Sequence, residues 1–478
     1  METSVPRPRR APIVLLVIPF VLGGCGMATA RLSGGPPADL PLPQGIEVAF
    51  NHRAEHRYRS PIHGNWRQGD DLEALLLDAI GGARQEILVA VQELSLPRVA
   101  EALVARHREG VRVRVVLENT YATPWSEQHP AELSPHQRLR RAQLEALGQG
   151  DAVAILAKGG VPQIDDTADG SAGSGLMHHK FLVVDRRVVV TGSANFSPSC
   201  IHGDPDDPRT RGNVNHLLRI ESPALAGVFA AEFGRLWGDG PGGAPDSRFG
   251  LAKEQGGPQR VMVAGTPMEV LFAPHRRSDP RHGLHWLEQK LATTERTLDL
   301  NLFVFSGQNL ADALASLKQR GVTIRLLADP GFANRAFSEV LDLLGVSLPD
   351  HRCRLEAGNR PWSQPHEGVG TPRLAGGDKL HHKFAVLDER RVITGSFNWS
   401  PSAAHQNDET LLLIDSPLLA RHFQAEMDRL WRGAELGVTA RLRRKLERQR
   451  RTCGSGIASR SVPISAAQPT PTIGRRPP

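Results

Sequence analysis

The sequence predicts an α/β protein made of two tandem domains of one kind, each a mixed β-sheet flanked by helices, the pair related by a pseudo-two-fold axis. Three observations carry this. The chain has 478 residues, too many for one ordinary hydrophobic core. It repeats itself, residues 46–237 matching 268–431, as if a homodimer had been fused. Within each copy, apolar strand runs alternate with helical stretches, the pattern of a parallel or mixed sheet.

Taken in order, Ile46-Glu-Val-Ala-Phe50 recurs as Met268-Glu-Val-Leu-Phe272. A strand run at 87–91 and a helical stretch at 99–108 recur at 298–304 and 310–319. The strand 110–117 recurs as 321–328, and Ser222-Pro-Ala-Leu-Ala as Ser416-Pro-Leu-Leu-Ala, each opening a helix that ends in Arg-Leu-Trp. Residues 238–267, rich in Gly and Pro, read as the linker.

At 40% hydrophobic and 23% charged residues the chain is neither disordered nor fibrous. Four cysteines do not make a disulfide scaffold. Of the formal +7, residues 1–25 hold +2 and residues 437–478 hold +9, which leaves −4 on residues 26–436. An acidic body is unfavourable for a nonspecific nucleic-acid binder.

The ends are distinct. Arg7, Arg9 and Arg10 precede the apolar run 11–22 and then Gly23-Gly24-Cys25, the layout of a secretory signal. The cysteine after two glycines resembles the lipobox of bacterial lipoproteins. The resemblance implies removal of residues 1–24, lipidation of Cys25, a tether over 25–45 and a lipid-anchored place in the bacterial cell envelope, at the outer membrane or the outer face of the inner membrane. Cys200, Cys353 and Cys453 remain, an odd number, so at least one is expected to be free. Residues 432–478 are a basic, partly disordered tail, with 436–451 expected as a short basic helix suited to an anionic lipid surface or another polyanion.

The best-matched segments are Met177-His-His-Lys-Phe-Leu-Val-Val-Asp185 with Thr191-Gly-Ser-Ala-Asn-Phe-Ser-Pro-Ser199, and Leu380-His-His-Lys-Phe-Ala-Val-Leu-Asp388 with Thr394-Gly-Ser-Phe-Asn-Trp-Ser-Pro-Ser402. Each reads as two strands joined by a two-residue turn, Arg186-Arg187 or Glu389-Arg390. Strand alternation puts His178 and Lys180 on one face and His179 on the other, and likewise His381 and Lys383 against His382. Ser193 and Asn195 share a face, as do Ser396 and Asn398. Imidazole, ammonium, hydroxyl and carboxamide together suit a phosphodiester: a nucleophile or proton donor, a cation for the phosphoryl oxygens, and neutral donors. His179 and His382 are expected to pack.

His178-x-Lys180-x4-Asp185 and His381-x-Lys383-x4-Asp388, each followed by Gly-Ser-x-Asn, resemble the paired HKD motifs of the phospholipase D superfamily. The resemblance implies two phospholipase D-like domains, a monomer with both motifs in one active site, a covalent phosphohistidine intermediate, and no metal or organic cofactor. It implies that Asp185 and Asp388 support the site.

Between the repeats, Asn407-Asp-Glu409 aligns with Asn213-Val-Asn215. A carboxylate beside an imidazole favours its protonated form, so Glu409 is expected to support His381 as general acid, with His178 as nucleophile. The first copy carries extra residues at about 200–211, including Asp204, Asp206 and Asp207, read as a solvated acidic loop, as is the stretch holding Asp165, Asp166 and Asp169. Substrate selection is expected in the dissimilar loops 118–175 and 329–379, which hold Trp125, His129, Trp362 and His366. The first expectation is a phospholipase D-type hydrolase of phospholipids, able to transfer to another alcohol. The alternative is an envelope-tethered nuclease acting on nucleic acid. A noncatalytic surface-binding protein is the remote third, and lipid synthesis of the cardiolipin synthase kind is disfavoured because those relatives carry membrane helices not read here.

Overall fold

The computed structural model describes residues 40–171, 175–356 and 358–454, so Cys25, the signal and most of the tether lie outside the described residues. The described residues group as one compact unit.

The first half opens with β1 (Ile46–Phe50) and a small hairpin, β2 (Arg57–Arg59) and β3 (Trp66–Gln68). Then come α1 (Leu72–Gly81), β4 (Glu86–Val91), α2 (Pro97–Arg108), β5 (Arg112–Leu117), α3 (Pro135–Ala146), α4 (Ala152–Lys158) and β6 (Gln163–Asp165). The motif hairpin β7 (Lys180–Val184) and β8 (Val188–Gly192) follows, with α5 (Pro198–Ile201), β9 (His216–Glu221) and α6 (Pro223–Trp237).

The second half runs β10 (Gln259–Val263), β11 (Thr266–Ala273), α7 (Gly283–Ala292), β12 (Thr297–Leu302), α8 (Gln308–Gln319), β13 (Thr323–Ala328), α9 (Glu339–Leu343) and β14 (Val369–Thr371). It closes with β15 (Lys383–Leu387), β16 (Arg391–Gly395), α10 (Pro401–His405), β17 (Glu409–Asp415), α11 (Pro417–Trp431), β18 (Glu435–Leu436) and α12 (Ala440–Cys453).

The sheets are mixed. One has the order β1-β9-β8-β7-β4-β5-β6, the other β10-β11-β17-β16-β15-β12-β13-β14-β18. In each, the strands linked by a crossover helix pair in parallel, β4 with β5 and β12 with β13, whereas the motif hairpin pairs antiparallel to β4 or β12. β10 lies in the stretch expected as linker: 259–263 joins the second sheet as its edge strand.

Local chemistry explains the frame. Ser222 and Ser416 accept from the amides of Leu225 and Leu419, and Pro223 and Pro417 occupy the first helical turn, so α6 and α11 start where Ser-Pro stands. These helices pack between the sheets. One hydrophobic cluster joins Phe50, Phe181 and Phe229 of the first half to Phe384, Phe423 and Met268 of the second. Each fully buried aromatic stabilises that junction by about 1.5–3 kcal/mol.

The motif turns centre one residue earlier than the sequence suggested. Asp185 and Arg186 both have φ of 49°, and Asp388 and Glu389 have 52° and 58°, the left-handed pair of a type I′ hairpin turn. Asp tolerates that region better than most residues, and its carboxylate has another task. Asp185 accepts from the amides of Arg84, Gln85 and Glu86 at 2.7–2.9 Å, and Asp388 from those of Glu295, Arg296 and Thr297 at 2.7–3.2 Å. The motif aspartates thus pin the hairpin to the start of the neighbouring strand.

Candidate active site

The histidine of each motif precedes its strand, and the segment leading into it runs alongside the other half. Met177 bridges Asp408 and Val214 bridges Leu380 in parallel; the amide of His178 donates to the Asp408 carbonyl, and that of His381 to the Val214 carbonyl, both at 3.0 Å. Buried carboxylates fix both segments: Asp166 accepts from the Met177 amide at 3.0 Å and Asp329 from the Leu380 amide at 2.9 Å. Asp166, expected in a solvated loop, is a buried anchor of the site; Asp165 and Asp169 hold Thr167 and Ser247 nearer the surface.

This reciprocity corrects one expectation. Glu409 does not support His381. Its Oε2 lies 2.8 Å from His178 Nδ1, and Asn215 Oδ1 lies 3.0 Å from His381 Nδ1. Each ring is held by the third residue of the other half's Asn-x-Glu or Asn-x-Asn segment, because the segments cross before reaching the site. The pairing on which the acid and nucleophile were assigned is therefore inverted.

The supports are themselves fixed. Ser396 donates to Glu409 at 2.6 Å and Ser193 to Asn215 Oδ1 at 2.8 Å, while the Asn215 amino group donates to the carbonyls of Cys200 and Asn213. The Asn215 carbonyl oxygen therefore faces His381. Both rings keep Nδ1 engaged, which leaves Nε2 of each for chemistry. Lys180 and Lys383 turn back to the carbonyls of His178 and His381, at 2.8 and 2.7 Å.

Gln92 accepts from Asn195 at 3.2 Å and from Lys180 at 3.5 Å. The equivalent residue in the second half is Phe303, whose ring lies 4.7 Å from His381 and 4.9 Å from the Lys383 ammonium. Asn195 is buried and Asn398 half-buried, and the side-chain oxygen of each has no protein partner.

Burial governs the electrostatics. It holds His178 down at about 4, against the raising effect of Glu409, and drives His381 well below the usual range, with Lys383 and Lys180 adding to the fall. It lowers Lys180 to about 8 and Lys383 further, Lys180 being the second cause there. Burial would raise Glu409, but His178, Lys180 and Ser396 together hold it below its ordinary value. His178 and His381 are close enough for each lysine to act on both rings.

Asp185 and Asp388 stand apart. Five residues of strand separate Asp185 from Lys180, on the order of 16 Å at strand rise. They support the site through the hairpin and do not touch it. His179 and His382 pack as expected: His179 meets Thr410 and Glu232, and His382 meets His216 and Glu426.

Of the aromatic candidates in the variable loops, Trp362 and His366 lie side by side, ring centroids 6.0 Å apart and planes tilted by 34°, with His366 against the Ile324 carbonyl. His129 takes the Ala131 amide. The 200–211 loop pairs Asp207 with its own Arg209 and Asp204 with Arg140 of α3.

Sequence reasoning missed Gln92, Phe303, Asp329 and Lys253. Lys253, in the Gly-rich linker, is buried between Glu232 and Asp408, bonding Asp408 at 2.7 Å. It neutralises carboxylates beside His179 and the Asp408 backbone that holds His178.

A family model described as "Cardiolipin synthase, PLD-like domain" matches residues 76–237 and again 287–431, more than half of the chain. Mitochondrial cardiolipin hydrolase of Xenopus laevis is 30% identical over 166 residues, 35% of this chain and 68% of that protein. The Danio rerio protein of the same name is 28% identical over 179 residues, 35% and 69% of the two chains. Cardiolipin synthase B of Salmonella typhi is 23% identical over 247 residues, about half of each chain. Among solved structures, phosphatidylserine synthase of Haemophilus influenzae superposes with a TM-score of 0.53 over 86% of this chain and 94% of that one, at 12% identity, a likeness of fold alone. Each of the two matched segments contains one His-x-Lys hairpin, and the chain belongs to the PLD-like family of phosphodiesterases, with two such domains in tandem.

Proposed function

We propose that the protein is a phospholipase D-type hydrolase that cleaves the phosphodiester of a phospholipid through a covalent phosphohistidine intermediate. The observation that carries this reading is the reciprocal anchoring of two imidazoles, each bound at Nδ1 by the other half, beside two buried lysines.

The supports divide the labour. A ring that attacks phosphorus passes from neutral to cationic, so a carboxylate at its far nitrogen stabilises the transition state. A ring that donates a proton loses its charge, and a carboxylate there would hold the proton back. His178, backed by Glu409, is the nucleophile, and His381, backed by the neutral Asn215, is the acid. The His178 assignment matches the sequence expectation, for a different reason.

His178 Nε2 forms the bond to phosphorus as the bond to the leaving oxygen breaks, and His381, which takes up a proton at Nε2 as the anionic diester binds beside it, passes that proton to the leaving oxygen. Water then gives a proton to His381 Nε2 and attacks phosphorus, the P–N bond breaks, and phosphatidate leaves. A primary alcohol in place of water gives transphosphatidylation. Lys180, Lys383, Asn195 and Asn398 bind the phosphoryl oxygens, and no step calls for a metal.

The site fixes the bond cleaved more firmly than the molecule that carries it. The −4 charge of the body and a lipid anchor at Cys25 favour a lipid substrate. The Cys353–Cys453 disulfide suits an oxidising compartment and supports a place in the cell envelope. The names of the cardiolipin hydrolase and synthase relatives direct the first assay to cardiolipin.

Protein comprising residues 26–478 is given cardiolipin vesicles, phosphatidylcholine vesicles and single-stranded DNA in parallel, with EDTA present. Phosphatidate release without DNA cleavage is expected, and its loss on replacing His178 or His381 by Ala. DNA cleavage alone would select the nuclease, and loss of all activity in EDTA would overturn the metal-free mechanism.

A further inference from the structure

The basic C-terminal helix is a built part of the second half. α12 carries seven basic side chains against Glu447. Leu442 is buried, Leu446 packs against the second-half core, and Gln449 donates to the carbonyls of Pro349 and Asp350. The disulfide Cys353–Cys453 clamps its last residue. With that stripe facing inward, Arg443, Arg444, Arg448, Arg450 and Arg451 are exposed.

Between α12 and the loop at 330–335 lies a cavity of about 190 Å³ lined by Arg335, Arg441 and Lys445, and the lining holds no carboxylate. Lys445 Nζ donates to the Asn334 carbonyl at 2.6 Å and Arg335 Nε to the Gly331 carbonyl at 3.0 Å. Two of the three cations thus bond only backbone carbonyls, and the cavity offers the three no counter-charge. Burial lowers Lys445, and Arg335, Arg441 and Arg448 add to the fall, the response of an ammonium crowded by like charges. A second cavity of about 330 Å³ shares Asn334 and Arg441 and adds Arg373, with Glu435 its single carboxylate.

The same loop walls the active site. Asp329 holds the backbone of Leu380, next to His381. Phe332 packs 4.7 Å from Phe303, which packs 4.7 Å from His381. Phe337, further along, meets Phe332 at 6.4 Å and is 41% exposed.

We propose that the α12 cavity is a second binding site, for the phosphate of an anionic phospholipid, and that with the exposed arginines of α12 and Phe337 it seats the mouth of the active site on an anionic bilayer. The inference rests on the reading that the substrate lies in a membrane, and it adds a noncatalytic lipid site that orients the enzyme there. Cations near an anionic surface attract it and an exposed aromatic enters the interface, and the loop that borders the cavity reaches Phe337 two residues after Arg335.

The test measures binding of the residue 26–478 protein to phosphatidylcholine vesicles with and without phosphatidylglycerol. Competitors are inorganic phosphate, soluble dihexanoyl phosphatidylglycerol and single-stranded DNA. Preference for the anionic vesicles is expected, with competition by the short-chain lipid at concentrations where inorganic phosphate has none. Arg441→Gln with Lys445→Gln is expected to weaken that binding by about 25-fold, at roughly fivefold per cation. An unchanged thermal midpoint and an intact disulfide in this variant show that the fold is kept.

Equal binding of both vesicle types, equal affinity of variant and wild type, equal competition by inorganic phosphate, or DNA displacing the vesicles more tightly than lipid would each overturn the proposal. Failure of the catalytic reading shows separately, as wild-type protein that binds anionic vesicles and hydrolyses neither lipid.

Discussion

Replacing Glu409 with Gln tests the division of labour between the two histidines. Glu409 is fully buried, 2.8 Å from His178 Nδ1, and accepts from Ser396 at 2.6 Å. A glutamine oxygen in the same place still accepts both bonds. Its amino group then meets the Asn407 amino group, donor against donor, so the long 3.3 Å bond from Asn407 is lost together with the charge while the two short bonds are kept. Unit charges about 4 Å apart interact by about 4 kcal/mol at an effective dielectric of about 20. With about half of the imidazolium charge developed at the transition state, the variant loses about 2 kcal/mol, or about 30-fold in the phosphorylation rate. The assay is the pre-steady-state burst on a soluble chromogenic diester. The pH profile gives a second readout. Glu409 raises the proton affinity of His178, which burial holds at about 4. The variant's ring is therefore neutral to still lower pH, and the acid limb of kcat/KM moves down even as the rate falls. A rate close to wild type, an acid limb that moves up, or trapped phosphate on His381 would refute the reasoning.

Asp388→Asn weakens three bonds to backbone amides, so urea unfolding should show a loss of about 1–3 kcal/mol while the folded fraction keeps its kcat; a loss like that of His381→Ala would put Asp388 in the chemistry. Lys253→Met leaves buried Asp408 without its cation and Glu232 with Arg235 alone, which typically costs about 3–5 kcal/mol for a broken buried pair, and unchanged stability would mean that water reaches them. His178, His216, His381 and His382 are all buried with lowered proton affinity, so below about pH 6.5 the unfolded chain binds more protons than the folded one. Stability therefore falls as pH drops from about 6.5 towards the folded-state values, by about 1.4 kcal/mol per unit of gap for each ring, and a thermal midpoint that stays level from pH 7 to pH 5 would contradict this. Reducing Cys353–Cys453 releases a loop closed across 100 residues, so amide exchange over 440–453 should quicken while β7 and β15 stay protected; unchanged exchange would show that packing alone holds α12.

The fold was legible because the chain states it twice. Runs such as 110–117 and 321–328 fix a parallel strand in each half, and each His-x-Lys segment opens an antiparallel hairpin as read, with its turn one residue earlier. The candidate site residues could be picked out for the same reason. What the sequence withheld was contact between halves. Aligning the repeats sets Glu409 opposite Asn215 but is silent on which imidazole each meets, since the crossing at Met177–Asp408 and Val214–Leu380 is a tertiary event. Lys253 lay hidden among glycines, where a lone cation reads as solvated; only the fold brings it between Glu232 on α6 and Asp408, the residue before β17. Asp166 and Asp329 do the same work from non-equivalent positions, so no repeat marks them.

The departures from symmetry are where the chemistry requires them. Two identical imidazole sites would have equal proton affinity, whereas the proposed mechanism has one ring attack while the other donates. The carboxylate of Glu409 and the amide of Asn215 supply that difference from equivalent positions. The walls differ in the same sense. Gln92 gives the His178 side a polar wall that engages Lys180 and Asn195, whereas Phe303 lies against His381 and Lys383 and leads outward through Phe332 to the exposed Phe337. A diester bound across such a site has its phosphoryl oxygens over the lysines and only one favourable direction for its apolar substituent. The strand frame keeps the two-fold, and single residues at its centre break it.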